Sequence, residues 1–523
     1  MTPPPAAHRD RRAGWTVALA VFLLTLAASP PTFPRSSDAR AMFATARSLV
    51  DRGSLAIDPL YLDDHIPVNP SAKAGPDGRA YAKYGLGWPL VLAGVLLVAG
   101  GLGLAPTSGP VQAALLALNP LLTAAAAAVA FAIARELGAS RRQAAWLGLG
   151  GALATFAWHV GTTDGADALM TLLVTLALWA CLRHARTLSP RYAALAGGAL
   201  GAALVAKSSL LVFAPGVLLS VAVAHTQAAS HARARGASLP LVRALTACGA
   251  VLSAGLALTL WFNHARWGSP LASGYNEPVL TGDLAFGLWQ LTVGVNKGLL
   301  VYAPVAAVGL LSIVTRWRRH PPWTAAAGLG ALGLLVTTAK FYDFGGGWTY
   351  GPRYLLPAVP ALAASVAPLL RWRAGRWVAG VAVVAGVVTT VPGVLIDASA
   401  SRGTFATAWL PEASGLVRSG DTHRPGVIVE RPRPVEDAVP EFAGPVVNLW
   451  LLRVLAEPCA CSRAVWWCAC ADGRDMYWNA RFRTPPWSAR YPEVEARPPY
   501  GQDLLGPALL SAWYRWAVFD VTA

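Results

Sequence analysis

Charge is what this chain has least of. Only 13% of its 523 residues are Asp, Glu, Lys or Arg, against about 25% in a soluble globular domain. With 55% hydrophobic residues, that shortage excludes the string of soluble domains that length alone would suggest. Acidic residues are scarcer still, 27 against 43 basic ones. The resulting net charge of +16 does not indicate nucleic-acid binding, because the arginines cluster in short connections between apolar runs, the positive-inside pattern of membrane proteins. Internal repeats of solenoid type are absent. Gly345-Gly346-Gly347 lacks the strand–helix context of a nucleotide fingerprint. Cysteine is sparse as well, six in all. Cys181 and Cys248 lie in apolar runs, as buried thiols do. Cys459, Cys461, Cys468 and Cys470 form a paired cluster in the tail, where disulfides are the expectation outside the cytoplasm and a four-thiolate zinc site is the alternative.

What the chain has instead is apolar runs long enough to cross a bilayer. They predict an all-α polytopic membrane protein of about eleven transmembrane helices. Many runs are rich in Ala and Gly, which lets helices approach closely in lipid. His8-Arg9-Asp10-Arg11-Arg12 followed by Trp15–Ser29 resembles a signal peptide, but the later spans favour an uncleaved first span. Arg9, Arg11 and Arg12 then place the N-terminus in the cytoplasm and the polar loop Arg35–Tyr84 outside. In that loop Ser37-Asp38 reads as a helix N-cap, and Met42, Phe43, Ala46, Leu49 and Val50 recur at helical spacing up to Gly53. Asp38–Arg52 is therefore predicted to be an amphipathic helix on the outer membrane surface.

Leu86–Leu104 poses a parity problem. If it crosses, Arg135, Arg141 and Arg142 fall outside and every later loop inverts. Pro89 and the glycines between Gly85 and Gly103 support a juxtamembrane or re-entrant segment instead. The basic loops then fall inside, and the C-terminus falls outside after a last span near Trp377–Leu395. The chain divides into a transmembrane domain, 1–396, and an extracytoplasmic tail, 397–523, rich in Pro, Trp and Arg. The expected location is a plasma or bacterial inner membrane, in contact with its lipids.

On this topology the unusual polar groups gather at the outer face. They are Asp38, Lys83, Asp164, Asp167, Lys207, Lys340, Asp343 and Arg353. Ionisable groups at membrane depth are costly and default to functional candidates. Asp63-Asp64-His65 has metal-ligand residue types, but adjacent residues rarely converge on one ion.

Four features now resemble the GT-C glycosyltransferases, in particular the branch of bacterial protein O-mannosyltransferases and lipid A aminoarabinose transferases. An acidic residue, Asp38, follows the first span. Lys83–Pro89 closes the first outer loop. The acidic pair Asp164 and Asp167 follows a later span. Gly346–Pro357 carries Gly-Gly-Trp-x-Tyr-Gly-Pro-Arg-Tyr-Leu-x-Pro. The run Asn263–Pro304 adds to the likeness, which covers roughly residues 10–395.

The resemblance implies transfer of a sugar from a polyprenyl-phosphate donor to a lipid, glycan or protein acceptor, with inversion. It implies Asp38 as the base for the acceptor hydroxyl or amine, with Asp164 and Asp167 as further catalytic carboxylates that could orient the acceptor or bind a divalent metal. It implies Lys83, Arg353 and Lys207 as donor-phosphate ligands, and Tyr84, Trp348, Tyr350 and Asp343 as substrate contacts. The Asp-x-Asp pattern of some relatives is absent at Asp38, so the metal stays open. A lipid-carrier transporter or flippase, and a non-catalytic glycan-binding membrane protein, remain alternatives. The gathering of charge at one face, rather than at the midplane of broken helices, favours the enzyme.

Overall fold

The computed structural model describes residues 5–30, 33–34, 36–57, 71–233, 241–275, 279–347, 349–395, 416–420, 428–432, 444–455, 460–461 and 468–469. Asp58, Asp63, Asp64, His65, Trp348, Cys459 and Cys470 lie outside them. The chain is an all-α polytopic membrane protein. Among the described residues, seven helical segments are long and apolar enough to cross a membrane: Gly109–Glu136, Asp167–Thr187, Ser208–Ser230, Leu241–Trp267, Pro321–Lys340, Arg353–Arg371 and Arg373–Leu395. Around them stand α1 (Pro5–Ala27), α5 (Arg141–Leu153), the short α6 (Ala157–Gly161), α8 (Pro190–Ala206) and α13 (Pro304–Thr315). The first four long segments contain α4 (Gly109–Glu136), α7 (Asp167–Thr187), α9 (Ala214–Arg233) and α10 (Leu241–Trp267). The others contain α15 (Gly330–Lys340), α16 (Val359–Ala364) and α17 (Arg373–Leu395).

Small residues set the packing. Helix α8 lies along α10 and α7, and Gly201 meets Gly255 so closely that a Cβ on Gly255 would sit 2.4 Å from the Gly201 carbonyl oxygen. With no hydrophobic force between helices in lipid, such contacts hold the bundle by van der Waals fit.

The first loop folds much as its pattern predicts. Helix α2 runs Ser37–Arg52, and Gly53 ends it in the left-handed region at φ 63°. Its cap is Ser36 rather than Ser37 or Asp38: Ser36 Oγ accepts from the Ala39 amide at 3.1 Å. That frees the Asp38 carboxylate for other contacts. The expected membrane-surface face is more deeply covered than amphipathicity alone requires. Met42 and Ala46 join the main core. Ala41 and Ala44 pack with Ile57 and Ala82, beside the hairpin β1 (Ala72–Ala74) and β2 (Ala80–Ala82). Alanines at these positions let a second layer approach.

Helix α3 (Gly87–Gly101) is 15 residues long, about 22 Å at the rise of an α-helix and short of an apolar bilayer core. It packs on α2, α4 and α8. In the tail, α18 (Gly444–Leu455) packs on α17. Val447 and Asn448 are fully buried there, and Asn448 donates to the Pro392 carbonyl at 3.2 Å.

Candidate active site

Helix direction brings the site together. The ends of α1, α8, α10 and α15 and the starts of α2, α7 and the Arg353–Arg371 segment meet at one end of the bundle. They enclose a cavity of about 1320 Å³. Asp38, Lys83, Tyr84, Asp164, Asp167, Lys207 and Arg353 all line it.

Asp38 sits in the first turn of α2, where the helix dipole favours a carboxylate. Its Oδ1 accepts from Ser71 Oγ at 2.7 Å, and its Oδ2 lies 3.7 Å from Arg353 Nη2. Burial alone would raise its pKa. The Arg353 charge, hydrogen bonds from Tyr84 and Ser71, and the Lys83 charge reverse that and hold it below the ordinary carboxylate value. The same environment works on its neighbours. Burial lowers the Lys83 pKa, with Arg353 adding to the fall and Asp38 and Asp343 opposing it. Burial, then the Asp38 charge, raises Tyr84 well above an ordinary phenol, so its hydroxyl stays a donor.

Tyrosine rings, as much as carboxylates, seat the cations. Lys83 Nζ lies 5.4 Å from the ring centres of both Tyr84 and Tyr275. Lys207 Nζ sits 3.8 Å over the Tyr354 ring, and the Arg353 guanidinium lies 5.1 Å from the same ring. A cation held on a π face keeps N–H donors for an anion. Among the described residues, Arg353 Nε is buried without a hydrogen-bond partner. Gly346 makes room for this arginine. It stands at φ 75°, and a Cβ there would come within 2.8 Å of Arg353 Cγ.

Asp164 has a different setting. Its Oδ2 accepts from the Ser36 amide at 3.0 Å and its Oδ1 from Ser36 Oγ at 2.8 Å. It therefore fastens the start of α2, two residues before Asp38. The loop carrying it is shaped by Asn119, whose side-chain amide donates to the Thr163 and Gly165 carbonyls at 2.5 and 2.9 Å. Asp167 opens α7, nearly buried, and its charge acts on Lys207 and Arg353.

Tyr350 stands behind the cavity rather than in its wall. It is buried against Tyr302 at 4.9 Å between ring centres, and its hydroxyl donates to the Thr389 carbonyl. Asp343 lies behind the wall too, with Oδ1 accepting from the Gly347 amide at 3.4 Å.

Three residues have roles that sequence reading did not assign. Ser71 supplies the shortest hydrogen bond to Asp38. Buried Arg266 donates to the carbonyls of Ala82 and Tyr84, on either side of Lys83. Buried Lys297 donates to the Thr349 and Gly351 carbonyls at 2.6 and 3.3 Å, bracing the loop before Arg353. Ser71's partner is a distant carboxylate and those of Arg266 and Lys297 are distant backbone carbonyls, which no spacing rule reveals.

The carboxylates at the cavity are already engaged by protein groups. Asp38 faces two cations, Asp164 is engaged by Ser36, and among the described residues no three His, Cys, Asp or Glu side chains converge.

No protein-family model matches the chain, and no curated protein matches its sequence. Solved structures do match in outline. ArnT from Cupriavidus metallidurans bound to undecaprenyl phosphate aligns at 17% identity and TM-score 0.46, over 76% of this chain and 66% of that one. The archaeal oligosaccharyltransferase AglB from Archaeoglobus fulgidus, in complex with an inhibitory peptide and a dolichol-phosphate, aligns at 12% identity and TM-score 0.43, over 72% and 55%. The chain thus spans less than two thirds of either protein. In outline the chain is similar to these two solved proteins.

Proposed function

We propose that the chain is a membrane glycosyltransferase that moves a sugar from a polyprenyl-phosphate donor to an acceptor hydroxyl or amine outside the cytoplasm. The observation that carries this reading is the meeting of Asp38, ionised and 3.7 Å from Arg353, with Lys83 and Lys207 in one cavity. The polyprenyl class of donor comes from the motif resemblance.

The chemistry follows from those groups. The acceptor heteroatom attacks the anomeric carbon as the bond from that carbon to the phosphate oxygen breaks. The electron pair leaves with the phosphate, and the acceptor proton passes to the Asp38 carboxylate. One displacement inverts the anomeric centre. A phosphate leaving group needs no proton, but it needs its growing charge stabilised. Arg353, Lys83 and Lys207 are preorganised for that. Asp164 acts as a positioning residue for α2, and Asp167 balances the cation cluster.

The test is transfer from a panel of polyprenyl-phosphate sugars by purified protein in detergent, with stereochemistry read by NMR. Transfer with inversion supports the reading. Tight binding of lipid phosphate with no transfer to any acceptor would move the chain to a carrier or binding role.

A further inference from the structure

The end of the bundle away from the cavity has a charge distribution of its own. From residue 168 to residue 396 the only acidic residues are Glu277, Asp283 and Asp343, and of the described ones Asp283 and Asp343 both lie in segments of the cavity end. At the opposite end the described acids are Asp10 and Glu136, and both are taken. Asp10 is held by Arg135 at 2.8 Å and Arg141 at 2.9 Å. Glu136 is held by Arg183 at 2.8 Å and Arg186 at 2.7 Å.

Beside these pairs, cations from three connections, Arg186 of the second pair among them, come together with no further acid among the described residues. His320, ahead of the Pro321–Lys340 segment, is under the charges of Arg371, Arg186, Arg316 and Arg319. Burial, and then those charges, lower its pKa, so it stays a neutral donor or acceptor among them. Arg316 stacks 3.9 Å over the Trp372 ring, and among the described residues its Nε is buried without a hydrogen-bond partner. Arg371 extends over the turn between α4 and α5, where its Nη2 fills the space a Cβ on Gly138 would need. Around the cluster Trp317, Trp372 and Trp377 are 54%, 44% and 74% exposed.

Two features separate this patch from ordinary positive-inside arginines. The cations converge on one spot, and one of them presents a buried, unused N–H. Exposed tryptophans mark the depth of lipid headgroups, and basic pockets between helix ends suit anionic headgroups. We propose that Arg186, Arg316, Arg319, His320 and Arg371 form a binding site for the phosphate of an anionic phospholipid. The glycerophosphate would lie between the guanidinium groups, with the tryptophans against its acyl chains. The site is independent of the proposed transferase chemistry.

The experiment uses the full chain in detergent and reads retained phosphatidylglycerol by native mass spectrometry, with phosphatidylcholine as the neutral probe. Three proteins are compared: wild type, Arg316→Gln/Arg319→Gln/Arg371→Gln, and a control of equal charge loss at the same end, Arg11→Gln/Arg12→Gln/Arg142→Gln. Retention should fall by about five-fold for each arginine removed from the cluster and change little in the control. Equal loss in both variants would mean diffuse surface charge and overturn the site. Inorganic phosphate that displaces phosphatidylglycerol at millimolar concentration would assign the cluster to a soluble anion and overturn the lipid. If the triple variant does not fold, exposed Arg319→Gln alone carries the same comparison.

Discussion

Replacing Asp38 by Asn keeps the shape of the side chain and removes its charge. At 3.7 Å and an effective dielectric near 20, the attraction to Arg353 is about 4–5 kcal/mol before desolvation. Much of that is spent keeping a buried carboxylate ionised, so the expected stability loss is smaller, about 1–3 kcal/mol, read as a fall in melting temperature. Turnover should suffer far more. Loss of a general base costs about 10²- to 10⁴-fold, or about 3–5 kcal/mol of barrier. Donor binding should hold or improve, because Arg353 loses its competitor. The assay is single-turnover transfer beside equilibrium binding of the polyprenyl phosphate, with the folded fraction set by thermal melts.

Acidity gives a second handle on the same residue. The folded pKa of Asp38 lies below its unfolded value of about 3.9. Its stabilising effect is therefore full above that pH and is lost as pH falls through the folded value. The acid limb of the rate profile should accordingly lie below about pH 4. Ser71→Ala removes the 2.7 Å hydrogen bond and should move that limb upward. Transfer by Asp38→Asn within about ten-fold of wild type, with the fold intact, would refute the base assignment.

Arg353→Gln should lower turnover by about 10²- to 10³-fold, the effect of losing one oxyanion donor, with acceptor binding unchanged in a competition assay. Ser36→Ala and Asp164→Asn should destabilise α2 non-additively, with a coupling of about 1–2 kcal/mol in a double-mutant cycle, because the two side chains share one contact. Gly346→Ala should lower activity through strain at positive φ and the crowded Arg353 stem, and hydrogen exchange around 345–352 should rise. The strands Ala460–Cys461 and Cys468–Ala469 pair Cys461 opposite Cys468, so intact mass before and after reduction should reveal bridged tail cysteines.

The first loop shows how far sequence can reach. Helix α2 and its stop at Gly53 follow from short-range rules, since periodicity and capping involve neighbours a few residues apart. The cap itself moved to Ser36 because Asp164, 128 residues away, fixes that serine. Sidedness of charge likewise anticipated that Asp38, Lys83, Lys207 and Arg353 would share a cavity. Tyr350 looked like a substrate contact because it lies in a conspicuous aromatic motif, yet its hydroxyl is satisfied by Thr389 and its ring by Tyr302. No role for Arg266 or Lys297 can be read from the residues around them in sequence. Only the three-dimensional path of the backbone shows that they brace the loops on which Lys83 and Arg353 stand.

The Asp38–Arg353 contact also bears on biogenesis. The two residues lie far apart in the order of synthesis. A nascent chain whose last spans are still in the ribosome has the carboxylate without its guanidinium. Such a chain lacks the charge that does most to hold the buried Asp38 carboxyl below its ordinary value. The cavity therefore gains its full set of charges only once the chain has been inserted through Arg353.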